Sequence, residues 1–207
     1  MIKTLLQISS LVFLLVSCKS YVPLHAELTN NELKVVENEY FSDPAKDYVY
    51  RAKIEAYGNE FGGIFILKKV QDDLHRIVLT TDFGFKMLDV NVSQNTFQIN
   101  FIIEQLDRKL ILNTLEQDFK TLIKPSYEVI ETYESPLSQI YKAKEGNRNY
   151  FIFKNKETGA IEKILQTTRT KEKVSFGFDG KNNTFADSIF VNHKDLNLNI
   201  YLTQYNQ

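Results

Sequence analysis

Phe61-Gly62-Gly63-Ile64-Phe65-Ile66-Leu67-Lys68-Lys69-Val70, then Gln71-Asp72-Asp73, then Leu74-His75-Arg76-Ile77-Val78-Leu79-Thr80-Thr81 is the stretch whose reading decides the fold. Two runs rich in Ile, Val, Leu and Phe, the residues that suit a pleated surface, flank a short polar connection. Such a connection closes a hairpin, whereas a parallel pair needs a crossover of a dozen or more residues. The two runs are therefore antiparallel neighbours.

The pattern extends both ways. Upstream, Tyr48 to Tyr57 places Tyr48, Tyr50, Ala52 and Ile54 on one face and Arg51, Lys53 and Glu55 on the other, as a half-buried strand requires. Downstream, Phe83 to Val92 and Asn95 to Ile103 follow through Thr81-Asp82 and Ser93-Gln94, which makes a meander. The period then changes. Leu106, Leu110, Ile111, Leu115, Phe119, Leu122 and Ile123 recur at helical spacing, with Asp107 at the amino end and Lys120, Lys124 and Pro125 at the carboxyl end. One amphipathic helix is predicted over residues 106–123. Strands resume at Tyr127 to Tyr133, Gln139 to Ala143, Asn149 to Phe153, Ala160 to Thr168, Lys173 to Phe178, Thr184 to Val191 and Asp195 to Thr203. Glu145-Gly146-Asn147, Glu157-Thr158-Gly159 and Asp179 to Asn183 read as hairpin loops.

The fold class is thus mainly β, within α+β. A large curved antiparallel sheet with one apolar face must close, pack on another sheet, or curl round a helix to bury it, and the 106–123 helix is available to curl around. The concavity that results is apolar. Gly62-Gly63 marks curvature, with room for an acyl chain over bare backbone as the second reading. Phe83-Gly84-Phe85 and Phe176-Gly177-Phe178 read as core, with pocket lining as the alternative.

Composition narrows the function. The 207 residues are 43% hydrophobic and 25% charged, with a formal net charge of -1, 8 Gly, 4 Pro and 1 Cys. Nothing here favours nucleic acid, and a single thiol cannot build a disulfide framework or a cysteine-rich zinc site. Residues 1–17 combine Lys3 with an apolar run from Leu5 to Val16, too short to span a bilayer and typical of a signal peptide. Residues 18–47 are polar and read as a tether holding the body off a membrane, and residues 48–207 as one domain. No Gly-x-Ser-x-Gly, P-loop, His-Glu-x-x-His or dinucleotide glycine pattern occurs. His25, His75 and His193 lie far apart and read as surface or satisfied histidines, and Asp72-Asp73 as solvated turn residues. No catalytic residue, metal ligand or cofactor is expected, and the chain is read as a non-enzyme.

Leu15-Val16-Ser17-Cys18 resembles the bacterial lipobox. That resemblance implies acylation of Cys18, a membrane anchor at the amino terminus and, with Lys19-Ser20 following, attachment to the outer membrane facing the periplasm. The stretch from Tyr48 to Ile123 resembles the LolA and LolB superfamily of periplasmic lipoprotein carriers, especially the membrane-anchored LolB branch. Its carriers are Glu60-Phe61-Gly62-Gly63-Ile64-Phe65-Ile66-Leu67, His75 to Thr81, Phe83 to Val90 and the helix after them. The resemblance implies an incomplete barrel whose cavity takes acyl chains of lipids or lipoprotein cargo, with a periplasmic carrier protein as a partner. The lining then comprises Phe65 and Leu67, Ile77 and Leu79, Phe97, Ile99 and Phe101, Val174, Phe176 and Phe178, and Leu196, Leu198 and Ile200. Leu110, Leu115 and Phe119 form the lid helix. LolB proteins also expose an apolar loop residue; Gln71-Asp72-Asp73 and Ser93-Gln94 supply no counterpart, and no residue is assigned to the lid arginine of the LolA branch. The competing readings are a structural or assembly lipoprotein that docks another envelope protein, and a lipid-processing enzyme.

Overall fold

The computed structural model describes residues 20–30, 32–180 and 182–205. The signal-peptide reading of residues 1–17 and the acylation of Cys18 lie outside the described residues. The described chain is mainly β, and a single antiparallel sheet, not closed into a barrel, runs through all of it.

The strands are β1 (Glu27–Thr29), β2 (Val35–Glu37), β3 (Asp47–Ala56), β4 (Asn59–Lys69), β5 (His75–Thr80), β6 (Lys86–Val92), β7 (Phe97–Ile102), β8 (Ser126–Glu134), β9 (Ser138–Glu145), β10 (Arg148–Asn155), β11 (Ile161–Thr167), β12 (Glu172–Asp179), β13 (Ser188–His193) and β14 (Leu198–Gln204). Helix α1 (Lys109–Leu122) lies between β7 and β8. The sheet order is β1-β8-β9-β10-β11-β12-β13-β14-β3-β4-β5-β6-β7, with β2 pairing β8 off this path. Each short connection joins antiparallel neighbours. The long-range pairings are β1 and β2 against β8, and β14 against β3, where Leu198 pairs with Ala56 and Gln204 with Tyr50.

One face of the sheet curls around α1. Tyr48, Tyr50, Ala52 and Ile54 of β3, Phe65 and Leu67 of β4, Ile77 and Leu79 of β5, Phe176 of β12 and Leu198 and Ile200 of β14 join Ile111, Leu115, Phe119 and Leu122 of the helix in one buried cluster. Period-two alternation along each strand puts these residues on a common face, and the 3.6-residue helical period puts α1's four on one stripe. A second, smaller cluster of Tyr133, Ile140, Phe151 and Leu165 lies on β8 to β11, covered by Tyr21 and Ala26.

Several expectations need correction. The segment read as a tether contributes β1 and β2 to the sheet and Val36, Tyr40 and Phe41 to the core. Asp107 precedes the helix, whose cap residue Arg108 makes no side-chain capping bond. Leu110 is exposed: it lies five residues from Leu115, about 140° round the helix, so Ile111 takes the inward position instead. Leu196 sits in the connection between β13 and β14, not on a strand face. Ile99 and Phe101 are exposed because β7 is the last strand of an open sheet, and Phe97 is only partly covered. Phe83 and Phe85 fall in the loop before β6 and are not core.

Two features hold the β4 to β7 wing. Gly63 has φ +154°, and a Cβ there would stand 1.8 Å from the Thr80 carbonyl oxygen, so the pair approaches closely only without a side chain. On the other face, Asp89 of β6 is buried yet ionised. Arg76 grips it with Nε to Oδ1 at 2.9 Å and Nη2 to Oδ2 at 2.7 Å, and Lys86 and Asn100 donate at 2.8 and 3.2 Å. These bonds, led by that from Arg76 and opposed by burial, hold its carboxyl well below the usual carboxylate range.

Urea denaturation should show Gly63→Ala losing more than about 2 kcal/mol through this backbone clash. Gly177→Ala is the control: its Cβ would make an ordinary contact, 3.7 Å from Phe190, and it should cost under about 1 kcal/mol. Asp89→Asn should cost about 2 kcal/mol at neutral pH, because the partners of a buried carboxylate are left with a neutral amide. Its folded pKa is depressed, so Asp89's contribution is full above the unfolded value of about 3.9 and fades as pH falls through the folded one. The difference between wild type and variant should shrink with acidification.

Candidate functional site

The expected acyl-binding face exists as a surface but is occupied. Phe65, Leu67, Ile77, Leu79, Phe176, Leu198 and Ile200 are all within 1% of complete burial, and Val174 and Phe178 are at 7% and 6%. Helix α1 lies in the concavity, with the Phe119 ring 6.0 Å from the Phe65 ring and Leu115 buried beside it. The lining residues thus pack against the helix and one another. Ile99, Phe101 and Leu110 are not part of this face, and Leu196 meets it only from a loop.

The other apolar feature is exposed. Phe83 and Phe85 are 90% and 73% accessible, in the loop joining β5 to β6. The loop is internally tied. Thr81 N donates to Phe85 O at 2.8 Å, Gly84 N to Thr81 O at 2.9 Å, and Phe85 N to Thr81 Oγ1 at 3.1 Å. Gly84 takes φ +83°, which turns the chain sharply between the two phenylalanines. Arg51 braces the base through Asp82 at 3.0 Å. A tied loop holds two rings in water without collapsing onto them, and placing two bare aromatic rings there serves no packing purpose. The matching Phe-Gly-Phe at residues 176–178 gave no warning, since its rings are buried.

A third feature was missed altogether. Asp118 of α1 and His193 at the end of β13 are buried side by side, with Nε2 3.2 Å from Oδ1. His193 Nδ1 lies 2.7 Å from the Leu198 carbonyl, which only accepts, so Nδ1 carries a hydrogen. One further proton must then lie between Nε2 and Oδ1, on either atom. Burial raises the Asp118 carboxyl, with His193 opposing. For His193, burial lowers the pKa, but the bond and charge of Asp118 and the Leu198 carbonyl outweigh it and the net direction is up. The pair therefore keeps its proton beyond the ordinary histidine value. The signal was present in the sequence: Asp118 sits between Leu115 and Leu122 on the apolar stripe, where a carboxyl needs a partner.

His75 is also buried, with Nε2 3.1 Å from the Phe41 carbonyl, and burial pushes its pKa down. Among the described residues, no three His, Cys, Asp or Glu side chains gather as a metal site.

The sign of the pH effect follows from the shared proton. Between about pH 5 and 6.5 the folded pair and the unfolded chain each hold one proton, so the pair's own contribution should be flat, while buried His75, with its lowered pKa, makes total stability rise with pH. Above about 6.5 the unfolded histidine loses its proton while the folded pair retains it, so stability should fall by up to about 1.4 kcal/mol per pH unit until the pair itself titrates. Urea melts across this range should show that slope in the wild type and its loss in His193→Gln.

No protein-family model matches the chain, and no curated protein matches it in sequence.

Proposed function

We propose that the chain is a non-enzymatic, membrane-anchored carrier of acyl chains, acting in the transport or placement of lipids or lipoproteins at the bacterial outer membrane. The observation that carries this reading is the pairing of an open curved sheet, its apolar concave face filled by α1, with a hydrogen-bonded loop that presents Phe83 and Phe85 to the surroundings. The resemblance to the LolB branch supplies the meaning of both. The loop from Thr81 to Phe85 offers an exposed apolar group, two aromatic rings close together in one connection.

Energetics permit the exchange that this function needs. Ile111, Leu115, Phe119 and Leu122 are the apolar residues α1 buries within its own span. At about 1.5–3 kcal/mol each they hold the helix in place by roughly 6–12 kcal/mol. A sixteen-carbon acyl chain entering the same concavity gains about 0.8 kcal/mol per methylene, roughly 12 kcal/mol in all. Helix and cargo are therefore matched competitors for one face, and binding proceeds by displacing α1, not by filling an empty hole.

Native mass spectrometry with lipid extraction, on a Cys18→Ala form purified without harsh detergent, should find one acylated ligand per chain or take up a fluorescent fatty acid at that ratio. Failure to do either removes the carrier reading. Phe83→Ser with Phe85→Ser should leave acyl uptake intact but weaken partitioning to vesicles by about 100-fold, since two aromatic side chains no longer leave water.

A specific observation also favours the docking reading. Leu28, Leu33 and Ile130 are exposed along an open groove of about 580 Å³ at the β1, β2 and β8 end of the sheet. A ligand-free chain with intact vesicle binding would make that groove the place to look.

A further inference from the structure

Between one flank of α1 and the ends of β10 to β13 lies an open pocket of about 360 Å³. Asn113, Thr114, Gln117 and Asp118 line it from the helix, and Gln166, Thr167, Lys173, Val174 and His193 from the sheet. Two of these residues carry a buried oxygen without a hydrogen-bond partner: Asp118 Oδ2 and Thr167 Oγ1. Asp118 and Thr167 are each only 1% exposed. Burying one such atom is costly, and native proteins leave few of them. Two in the walls of one pocket point to something that binds there.

We propose that this pocket binds a small hydroxylated ligand, a sugar or the glycerol portion of a lipid headgroup, through the Asp118 carboxyl and the Thr167 hydroxyl. The donor sought by Oδ2 is a hydroxyl and not an ammonium, because the Arg148 guanidinium lines the pocket and repels a cation, whereas Lys173 is paired with Asp195. No ion pair engages Arg148 among the described residues; its guanidinium bonds the neutral Gln117 amide oxygen. The amides of Asn113, Gln117 and Gln166 suit hydroxyls, which both donate and accept. His193 holds Asp118 through Oδ1 and leaves Oδ2 without a partner in the protein. The pocket lies within the ordinary size range of small-molecule sites. The assignment rests on these residues alone and not on the acyl-carrier reading.

Thr167→Val decides the matter, because replacing an unpartnered buried hydroxyl by a methyl of the same shape leaves stability unchanged or improved. The full chain should be titrated by calorimetry and saturation-transfer NMR with glucose, glycerol and glycerol 3-phosphate, with putrescine as the amine comparison. Saturable binding of at least one polyol is expected, weakened about tenfold or more in Thr167→Val and in Asp118→Asn, with circular dichroism and melting temperature retained in the valine variant. Binding of free glucose identifies a sugar source. Weak binding of the free probes, with Thr167-dependent binding to phosphatidylglycerol vesicles over phosphatidylcholine ones, identifies a headgroup. The proposal is overturned if no polyol or phosphatidylglycerol vesicle binds, if both variants bind as the wild type does, if putrescine is preferred, or if a lone water bridges the two residues and no probe displaces it.

Discussion

The constraint on which the rest of this structure depends is that a continuous sheet carries one apolar face and, among the described residues, one helix is available to cover it. A sheet of this breadth cannot stay flat with such a face in water, and without a second sheet it must curl around what it has. Helix α1 is therefore both the core's centre and its weakest commitment. It connects to the sheet through loops at both ends, and a narrow stripe of four apolar side chains holds it there. Most of the rest of the interior sits on paired strands, with Tyr40, Phe41 and Phe185 added from connections. A protein built in this way has one element whose removal exposes a ready-made greasy trough while the sheet keeps its hydrogen bonds.

That asymmetry also explains the polar pair beneath the helix. A carboxyl on an apolar stripe is a poor choice for packing and a good one for register, since only one rotation and one translation of α1 bring Asp118 to His193. Leucine at this position would hold the helix more indifferently. The buried pair trades some stability for a defined seat, as polar groups at helix interfaces do elsewhere.

Much of the fold was legible because strands of six to eleven residues alternate cleanly and their connections are short. What escaped had physical reasons. Strands β1 and β2 are three residues each, below the length at which alternation is visible, and they exist because β8 offers a free edge. Phe83 and Phe85 continue the apolar run of β6 in sequence, so nothing local separates a strand start from a presented loop; the Thr81 side chain and Gly84 make the difference. Ile99 and Phe101 alternate as an interior strand would, and only their place at the sheet's end leaves them bare. Of the expected lining, the positions on central strands face the core as read. Those at the edge, in a connection or on the helix flank do not. Periodicity reports which residues share a face but not what covers it.

The amino-terminal segment has a mechanical consequence. Tyr21 packs against Phe151 with ring centroids 5.6 Å apart and donates its backbone N–H to Arg169 at 2.7 Å, beside the turn between β11 and β12. The antiparallel order carries that turn, through β12, β13, β14, β3, β4 and β5, to the same end of the sheet as the loop of Phe83 and Phe85. On the reading proposed above, an acyl group on Cys18 is only three residues from Tyr21, a reach of about 10 Å. So short a leash does not hold the body at arm's length. It tilts one end of the sheet towards the bilayer and keeps the aromatic loop at a high effective concentration there, so that repeated touching of the surface costs little diffusion.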